Sequence, residues 1–140
     1  MSAKGFIFAM LLGATACGFK SSPPESRAVV EKYFEHVKQG SAKPAESLFS
    51  PESFTSPSLQ DWLAALDRGH AKLGALQSFT VTVVNTTSFS GTNKSGVYTT
   101  FRCDVQFEKE QAVETFRVFQ ADGSETAKII GHNVNSAGFI

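Results

Sequence analysis

The stretch VYTTFRCDVQFE, residues 97–108, decides the fold of this 140-residue chain. Its odd-numbered positions are mostly apolar and its even-numbered positions mostly polar, which is the period-two pattern of a β-strand with one buried face. The segment before it shows the same alternation from Leu76 onward, and two further strands are predicted over 112–120 and 126–135. These four segments predict one antiparallel sheet.

Two tight connections set the register that we expect for this sheet. Lys109-Glu110 is predicted as one two-residue loop and Asp122-Gly123 as another. The pairs that follow are Cys103 with Phe116, Phe101 with Val118, Val105 with Glu114, Phe116 with Ile129 and Val118 with Ala127. This register places eight apolar residues on one face: Phe79, Val81, Val83, Phe101, Phe107, Phe116, Val118 and Ile129. A one-residue slip would turn that whole set to solvent.

Helical patterns precede the strands. A capping box at Ser22-Pro23-Pro24-Glu25 predicts a first helix that ends at Gly40, with an apolar stripe of Val29, Val30, Tyr33, Phe34 and Val37. A short helix is predicted over 44–49, and a third begins near Ser56-Pro57. Its stripe is Leu59, Trp62, Leu63, Leu66, His70 and Leu73. Helices grouped before an antiparallel sheet predict an α+β fold, in which the helices cover one face of a curved four-stranded sheet.

The composition excludes several classes of protein. Thirteen Lys and Arg balance thirteen Asp and Glu, so the chain lacks the basic surplus of a nucleic-acid binder. Two cysteines exclude a disulfide-rich scaffold and a multi-cysteine metal site. No His, Cys, Asp or Glu cluster has metal-ligand spacing, and we predict neither a metal nor another cofactor.

The N-terminus has the pattern of a secretory signal. Lys4 is followed by an uncharged apolar run over 6–12, which is far shorter than the ~20 residues of a membrane-spanning helix. Two processing routes fit the small residues that come next. Ala14-Thr15-Ala16-Cys17 resembles the lipobox of bacterial lipoproteins, in which the cysteine is acylated, although Ala14 stands where that pattern usually has Leu. The same residues also fit an ordinary cleavage site that leaves Cys17 unmodified.

These routes imply different locations. Acylation of Cys17 anchors the domain to a membrane of the bacterial cell envelope, and Gly18 after the cysteine is typical of sorting to the outer membrane, facing the periplasm. Without acylation the protein is soluble in the periplasm or secreted, and Cys17 is then able to pair with Cys103. The predicted organisation is a signal peptide over 1–16, a lipidated cysteine and short tether over 17–24, and one α+β domain over 25–136.

The order of these elements, with Leu73-Gly74 after the last helix and IIGHNVNS over 129–136 at the end, supports a family resemblance. The chain resembles the cystatin-like α+β cone, and more narrowly the nuclear transport factor 2-like domains of small uncharacterised exported bacterial proteins and lipoproteins. Such domains often carry an aromatic residue where this chain has Ala127. Enzymes of that superfamily place an acid–base dyad inside the cone. No matching pair is identifiable here, so the resemblance assigns no catalytic residue.

Several polar residues are candidates for a site inside the cone. Glu114 is predicted on the helix-covered face, either at a solvated rim or as a polar anchor in the mouth of the cone with a raised pKa. His70 is predicted as a hydrogen-bonded core histidine, with a catalytic base as the alternative. His132 is placed on the outer face by its parity. Cys103 is expected to be an inert packing group on the inner face.

The outer face of the sheet offers a second set of candidates. Arg102, Arg117 and Lys128 fall in one cross-strand row in the expected register, either as a hydrated surface or as a receptor for an anionic group or an acidic partner. Apolar residues are predicted on the same face: Val113, Phe119, Ile130 and Val134. The resemblance also implies that such domains pair through their sheets, so a homodimer is a further expectation.

Two functions follow from these patterns. The first is a non-enzymatic, membrane-tethered domain that binds a small apolar or amphipathic ligand in its cone. The residues expected to line that pocket are Glu114, Trp62, Tyr33, Phe101, Phe116 and His70. The second is a structural or interaction lipoprotein with a filled core, acting through its outer sheet face or as a homodimer. An enclosed cavity favours the first function, and a filled interior favours the second.

Overall fold

Two α-helices and a four-stranded antiparallel sheet make up the computed structural model, which describes residues 23–92 and 95–139. The predicted signal peptide and Cys17 lie outside the described residues. The helices and strands are α1 (Pro24–Lys38), α2 (Leu59–Leu73), β1 (Leu76–Phe89), β2 (Gly96–Phe107), β3 (Gln111–Ala121) and β4 (Ala127–Asn135). Short 3-10 helices lie at Lys43–Leu48, Pro51–Ser53 and Ala137–Phe139. The predicted α+β class is confirmed.

Helix α1 packs the predicted stripe against the sheet, and all five residues of that stripe are buried. The helix begins one residue later than the predicted capping box requires, because the N-cap is Pro23, which makes no side-chain capping hydrogen bond; Ser22 lies outside the described residues. The backbone oxygen of Pro23 instead accepts a hydrogen bond from the Ser26 amide at 3.1 Å. The helix ends before Gly40, whose φ of 119° suits glycine. The predicted C-terminal stop is therefore confirmed.

Helix α2 begins two residues after Pro57 and is capped by Ser58, whose hydroxyl accepts from the Asp61 amide at 3.2 Å. Asp67, in the middle of α2, binds the segment that follows α1. The carboxylate of Asp67 accepts from the Ala42 amide at 2.7 Å and from the Ser41 hydroxyl at 2.8 Å. Of the predicted stripe, Trp62 is partly buried and the other five residues are buried.

The four strands pair in sequence order, so β1 and β4 are the two edges of the sheet. The predicted pairing of β2 with β3 is wrong by two residues, since Phe101 lies opposite Phe116 and Cys103 lies opposite Glu114. The connection is longer than expected because two of its amides bond elsewhere. The amide of Glu108 donates to Ala75 O at 2.8 Å, and that of Lys109 donates to Leu73 O at 2.9 Å. A shift of two residues leaves every side chain on its predicted face.

The pairing of β3 with β4 differs from the predicted register more than the pairing of β2 with β3 does. Val118 lies opposite Ile129, whereas Phe116 lies opposite His132, so β4 contains one extra residue between the two pairs. This β-bulge reverses the face of every later residue in β4. Strand β1 also has bulges, between Leu76 and Ser78 and between Val83 and Asn85.

The core lies between the helices and the inner face of the sheet. Its largest completely buried side chains are Tyr33, Phe34, Phe49, Phe101, Phe107 and Phe116. The predicted inner-face set is confirmed for β2 and β3, but Phe79 and Val81 are only partly buried, and Val83 is 39% exposed. Within residues 23–92 and 95–139, neither helix has the length and apolar character needed to cross a membrane.

Candidate functional site

A buried carboxylate is the centre of the interior. Glu114 lies in the middle of β3 and is completely buried, with three side chains donating to it. The Tyr33 hydroxyl lies 3.2 Å and His132 Nε2 lies 2.8 Å from its Oε1 atom, while His70 Nε2 lies 3.2 Å from Oε2. Helices α1 and α2 and strand β4 thus each supply one donor. We call Tyr33, His70, Glu114 and His132 the buried polar cluster.

A fifth side chain fixes the protonation pattern of His132. Trp62 Nε1 can only donate, and it lies 3.0 Å from His132 Nδ1. The Nδ1 atom therefore acts as the acceptor, and the ring hydrogen lies on Nε2, which donates to Glu114. This arrangement uses both ring nitrogens of a neutral imidazole. A second ring proton would face the Trp62 N–H group.

The aromatic core holds the two imidazoles in place. The His132 ring stacks on Phe116 with centroids 4.2 Å apart and meets Tyr33 edge to face at 5.1 Å. The His70 ring stacks on Phe107 at 5.1 Å. Neither ring can rotate away from Glu114 without disturbing these contacts, so the cluster is rigid as well as buried.

Hydrogen bonding, rather than burial, decides the charge of Glu114. Burial alone raises the pKa of this carboxyl, but hydrogen bonds from His132 and His70 lower it more, from 4.5 to about 2. Glu114 is therefore ionised at neutral pH. Burial, together with the charge of Glu114 and its hydrogen bond, raises the pKa of Tyr33, which keeps its proton and remains a donor.

The structure corrects the predictions made for Glu114, His132 and Val134. Glu114 is neither at a solvated rim nor opposite Val105, since it is completely buried and pairs with Cys103. Its predicted raised pKa is also wrong, because the imidazoles lower that pKa. His132 and Val134 do not lie on the outer face, because the bulge in β4 turns His132 toward Glu114 and packs Val134 against the core.

No acid–base pair is predicted from the sequence, but the structure places the Glu114 carboxylate between the imidazoles of His70 and His132. The only sequence signal for this arrangement is Gly131, because an isolated glycine inside a strand pattern often marks a bulge. Among the described residues, no group of three or more His, Cys, Asp or Glu side chains is placed to hold a metal ion.

The six predicted pocket residues form part of the core. Four of them, Tyr33, Phe101, Glu114 and Phe116, have no exposed surface. Trp62 borders a surface cavity of about 280 Å³ between residues 53–57 and the bulge of β4. His70 borders another of about 230 Å³ beside Asp67. Both cavities open to solvent, and Glu114 lines neither of them.

The predicted basic row on the outer face is not formed. Arg102 lies opposite Thr115, Arg117 opposite Thr100, and Lys128 opposite Phe119. Each cation has its own contact: Arg102 pairs with the exposed carboxylate of Asp104 at 3.1 Å, Arg117 lies 5.0 Å over the Tyr98 ring, and Lys128 Nζ donates to Ser47 O at 2.6 Å. A two-residue difference from the predicted register, in the pairing of β2 with β3 and again in the pairing of β3 with β4, disperses the row.

Cys103 is a free thiol with no exposed surface, as expected for a packing group. Burial is the largest cause that raises its pKa well above the ordinary value, so it is a poor nucleophile. Its predicted alternative partner, Cys17, lies outside the described residues.

Comparison with known proteins finds no relative: no family model, no curated protein and no solved structure matches the chain.

Proposed function

We propose that this chain is a non-catalytic interaction domain of the bacterial cell envelope, of the nuclear transport factor 2-like kind, anchored by a lipid on Cys17. The observation that carries the proposal is the filled interior. A ligand site is typically a cavity of about 300–1,000 Å³, whereas the inner face of this sheet is covered by completely buried aromatic side chains. Recognition by such a domain takes place on its outer surfaces.

The buried polar cluster supports a structural role rather than catalysis. A catalytic carboxylate has to contact its substrate, but Glu114 has no exposed surface, and both of its oxygens accept from protein donors. Its three donors come from three different elements. The cluster therefore fastens α1 and α2 to the sheet.

The lipid anchor is supported by the sequence alone. Cys17 follows small residues directly after the apolar run, and only one other cysteine is present in the chain. Two acyl groups on such a cysteine are enough for stable membrane attachment. An outer-membrane position facing the periplasm is the location that we propose.

Mass spectrometry of the full chain, expressed in a bacterium and extracted with detergent, tests both parts of the proposal. We expect the mature protein to begin at Cys17 with the added mass of its acyl groups and to carry no small molecule. Cys17→Ala should remove that mass and the membrane association, whereas Cys103→Ala should keep both. A chain that starts at an unmodified Cys17 would contradict the anchor.

A second candidate function is binding of a small amphipathic ligand. The cavity of about 280 Å³ beside Trp62 favours it, because an aromatic residue, Phe54, and two hydroxyl-bearing residues, Ser53 and Thr55, also line that space. A small molecule that remains bound in native mass spectra, and that is lost in Phe54→Ala, would favour this candidate over the interaction domain.

A further inference from the structure

Helix α1 and strand β1 run past each other in opposite directions. The Phe34 ring stacks on Phe79 with centroids 4.6 Å apart, and about two turns earlier in the helix Arg27 Nη1 donates to Val81 O at 3.1 Å. Moving toward the start of α1 therefore means moving toward the C-terminal end of β1. Pro24, the first residue of the helix, lies farther in that direction than Arg27.

The second half of β1 extends past the start of α1. All of residues 84–89 except Thr86 are exposed, and at about 3.3 Å per residue they continue the strand for roughly 20 Å beyond Val83. Among the described residues, three large apolar side chains are exposed, and all lie in this region: Val83 at 39%, Val84 at 61% and Phe89 at 48%. Since β1 contains no charged residue, no charge has to be desolvated when this region leaves water.

Three aromatic rings and a cation lie at the same end of the sheet, on its outer face. The Tyr98 ring meets Phe89 at 6.4 Å and Phe119 at 4.7 Å, and the exposed Arg117 guanidinium lies 5.0 Å over Tyr98. Aromatic rings are enriched at the level of lipid headgroups, and arginine binds phosphate through two parallel hydrogen bonds. We call Val83, Val84, Phe89, Tyr98 and Phe119 the apolar end of the sheet.

The proposed lipid anchor is attached close to the apolar end. Cys17 lies outside the described residues, but the chain from Cys17 to Pro23 reaches at most about 21 Å, six residues at about 3.5 Å each. The start of α1 is therefore held within about that distance of the bilayer surface. The apolar end extends over a similar distance from the same side of the domain, so it is able to reach the bilayer when the anchor is inserted.

We propose that the apolar end lies among the headgroups of the membrane that holds the lipid on Cys17, with Arg117 at a lipid phosphate. A bilayer is the partner that the short tether brings within reach. Its chemistry also fits, because aliphatic and aromatic side chains beside a cation complement hydrocarbon beneath an anionic headgroup layer. The connection between β2 and β3, at the opposite end of the sheet, is then the part of the domain farthest from the membrane.

This inference rests on the proposed function, because the lipid anchor brings the apolar end to the membrane. The few side chains of the apolar end give only weak and reversible membrane binding by themselves. They therefore orient a domain that the lipid holds, and Cys17→Ala should still release that domain from the membrane.

Fluorescence quenching on the full acylated chain, reconstituted in vesicles of phosphatidylethanolamine and phosphatidylglycerol, tests the orientation. A fluorophore is attached at Ser88→Cys, beside Phe89, or at Lys109→Cys, an exposed position in the connection between β2 and β3. Acylated Cys17 has no thiol and Cys103 is completely buried, so only the introduced cysteine reacts. Lipids with a nitroxide on the headgroup should quench the fluorophore at position 88 at least about twofold more than that at position 109.

A matched pair of variants in the Ser88→Cys chain links the quenching to the apolar end. Phe89→Glu adds a carboxylate that anionic headgroups repel, so it should lower the quenching at least about twofold. Gln111→Glu adds the same charge at an exposed position near the opposite end of the sheet and should leave the quenching unchanged. Matching circular dichroism spectra should show that all variants fold.

The outcomes separate the orientation from the anchor. Equal quenching at positions 88 and 109 in a chain that carries its acyl groups would overturn the inference and leave the anchor standing. A fluorophore at position 88 that responds to the ratio of protein to lipid, and not to the nitroxide, would assign the apolar end to a second copy and also overturn it. A mature chain without acyl groups would overturn the anchor and the inference together.

Discussion

Strands β4 and β1 are the two edges of one sheet, and each contains a bulge, yet the bulges have opposite results. In β4 the extra residue turns His132 inward, where it donates to Glu114 at 2.8 Å. In β1 the bulge after Val83 leaves Val83 and Val84 exposed. A bulge re-aims side chains, but what they then meet depends on the elements that cover the strand.

The coverage of the two edges explains the difference. The segment before α2 lies along β4, where Phe49 bridges to Ile129 and the Ser50 amide donates to Ile129 O at 2.9 Å. At β1, the hydrogen bond from Arg27 reaches the edge at Val81. The edge at β4 contributes to the interior, whereas the edge at β1 leaves Val83 and Val84 exposed. The predictions below separate these two roles.

The largest effect is expected at the covered side. Glu114→Ala removes the acceptor of Tyr33, His70 and His132 at once and leaves the Tyr33 hydroxyl and the His132 Nε2–H group buried without this acceptor. We expect the free energy of unfolding to fall by about 3–5 kcal/mol, the usual cost of breaking a buried charged network. Urea unfolding measures this loss, and Glu125→Ala, in the exposed turn before β4, is the control that should change little. A loss below about 1 kcal/mol would show that the cluster does not fasten the helices.

The same carboxylate predicts an acid-sensitive stability. The pKa of Glu114 is about 2 in the folded chain and near 4.5 when unfolded, so the unfolded state binds more protons between these values. Its contribution is complete above pH 4.5 and is lost as the pH falls toward 2. The full titration corresponds to about 3 kcal/mol. Urea midpoints across this window should fall less steeply for Glu114→Gln than for the wild type, and equal slopes would contradict the assignment.

Much of the fold was predictable because its elements rest on local patterns. The period-two alternation over 97–108 identified β2, and the stripes of both helices identified the faces that they bury. The two-residue error between β2 and β3 kept every side chain on its predicted face, since the period of a strand is two, but it changed which side chains lie opposite one another. It arose because the Glu108 and Lys109 amides bond to carbonyls before β1, and the sequence pattern does not record such long-range bonds.

The candidate site was predictable only in part, for a physical reason. Glu114, Tyr33 and His70 were placed on the inner side because their periodicity is unbroken. His132 was predicted on the outer face, because the pattern does not show the extra residue in β4 that reverses the alternation of its side chains. The only sign of that bulge in the sequence is Gly131. Val83 was predicted to be buried but is exposed, because the period-two pattern does not show which part of a strand the helices cover.

A moderate effect is expected from the residue that orients His132. Trp62→Phe keeps an aromatic ring but removes the N–H group that donates to His132 Nδ1. We expect a loss of about 1–2 kcal/mol, because a buried acceptor is left without its donor. Thermal unfolding measures the loss, and nitrogen-15 NMR of the imidazole should show the Nδ1 resonance shift as its hydrogen bond is lost, while Nε2 keeps its hydrogen because Glu114 still accepts from it. An unchanged imidazole spectrum would contradict the role given to Trp62.

The smallest effects come from a matched pair of conservative changes, one beside each bulge. Ile129→Val removes one methyl group from a completely buried side chain on β4, and we expect it to cost about 0.5–1.5 kcal/mol. Val84→Thr keeps a β-branched side chain at a position that is 61% exposed on β1, so its stability should change by less than about 0.5 kcal/mol. Both are measured by urea unfolding under identical conditions. If Val84→Thr cost as much as Ile129→Val under those conditions, the edge of β1 would be covered within its own chain, and the contrast between the two edges would fail.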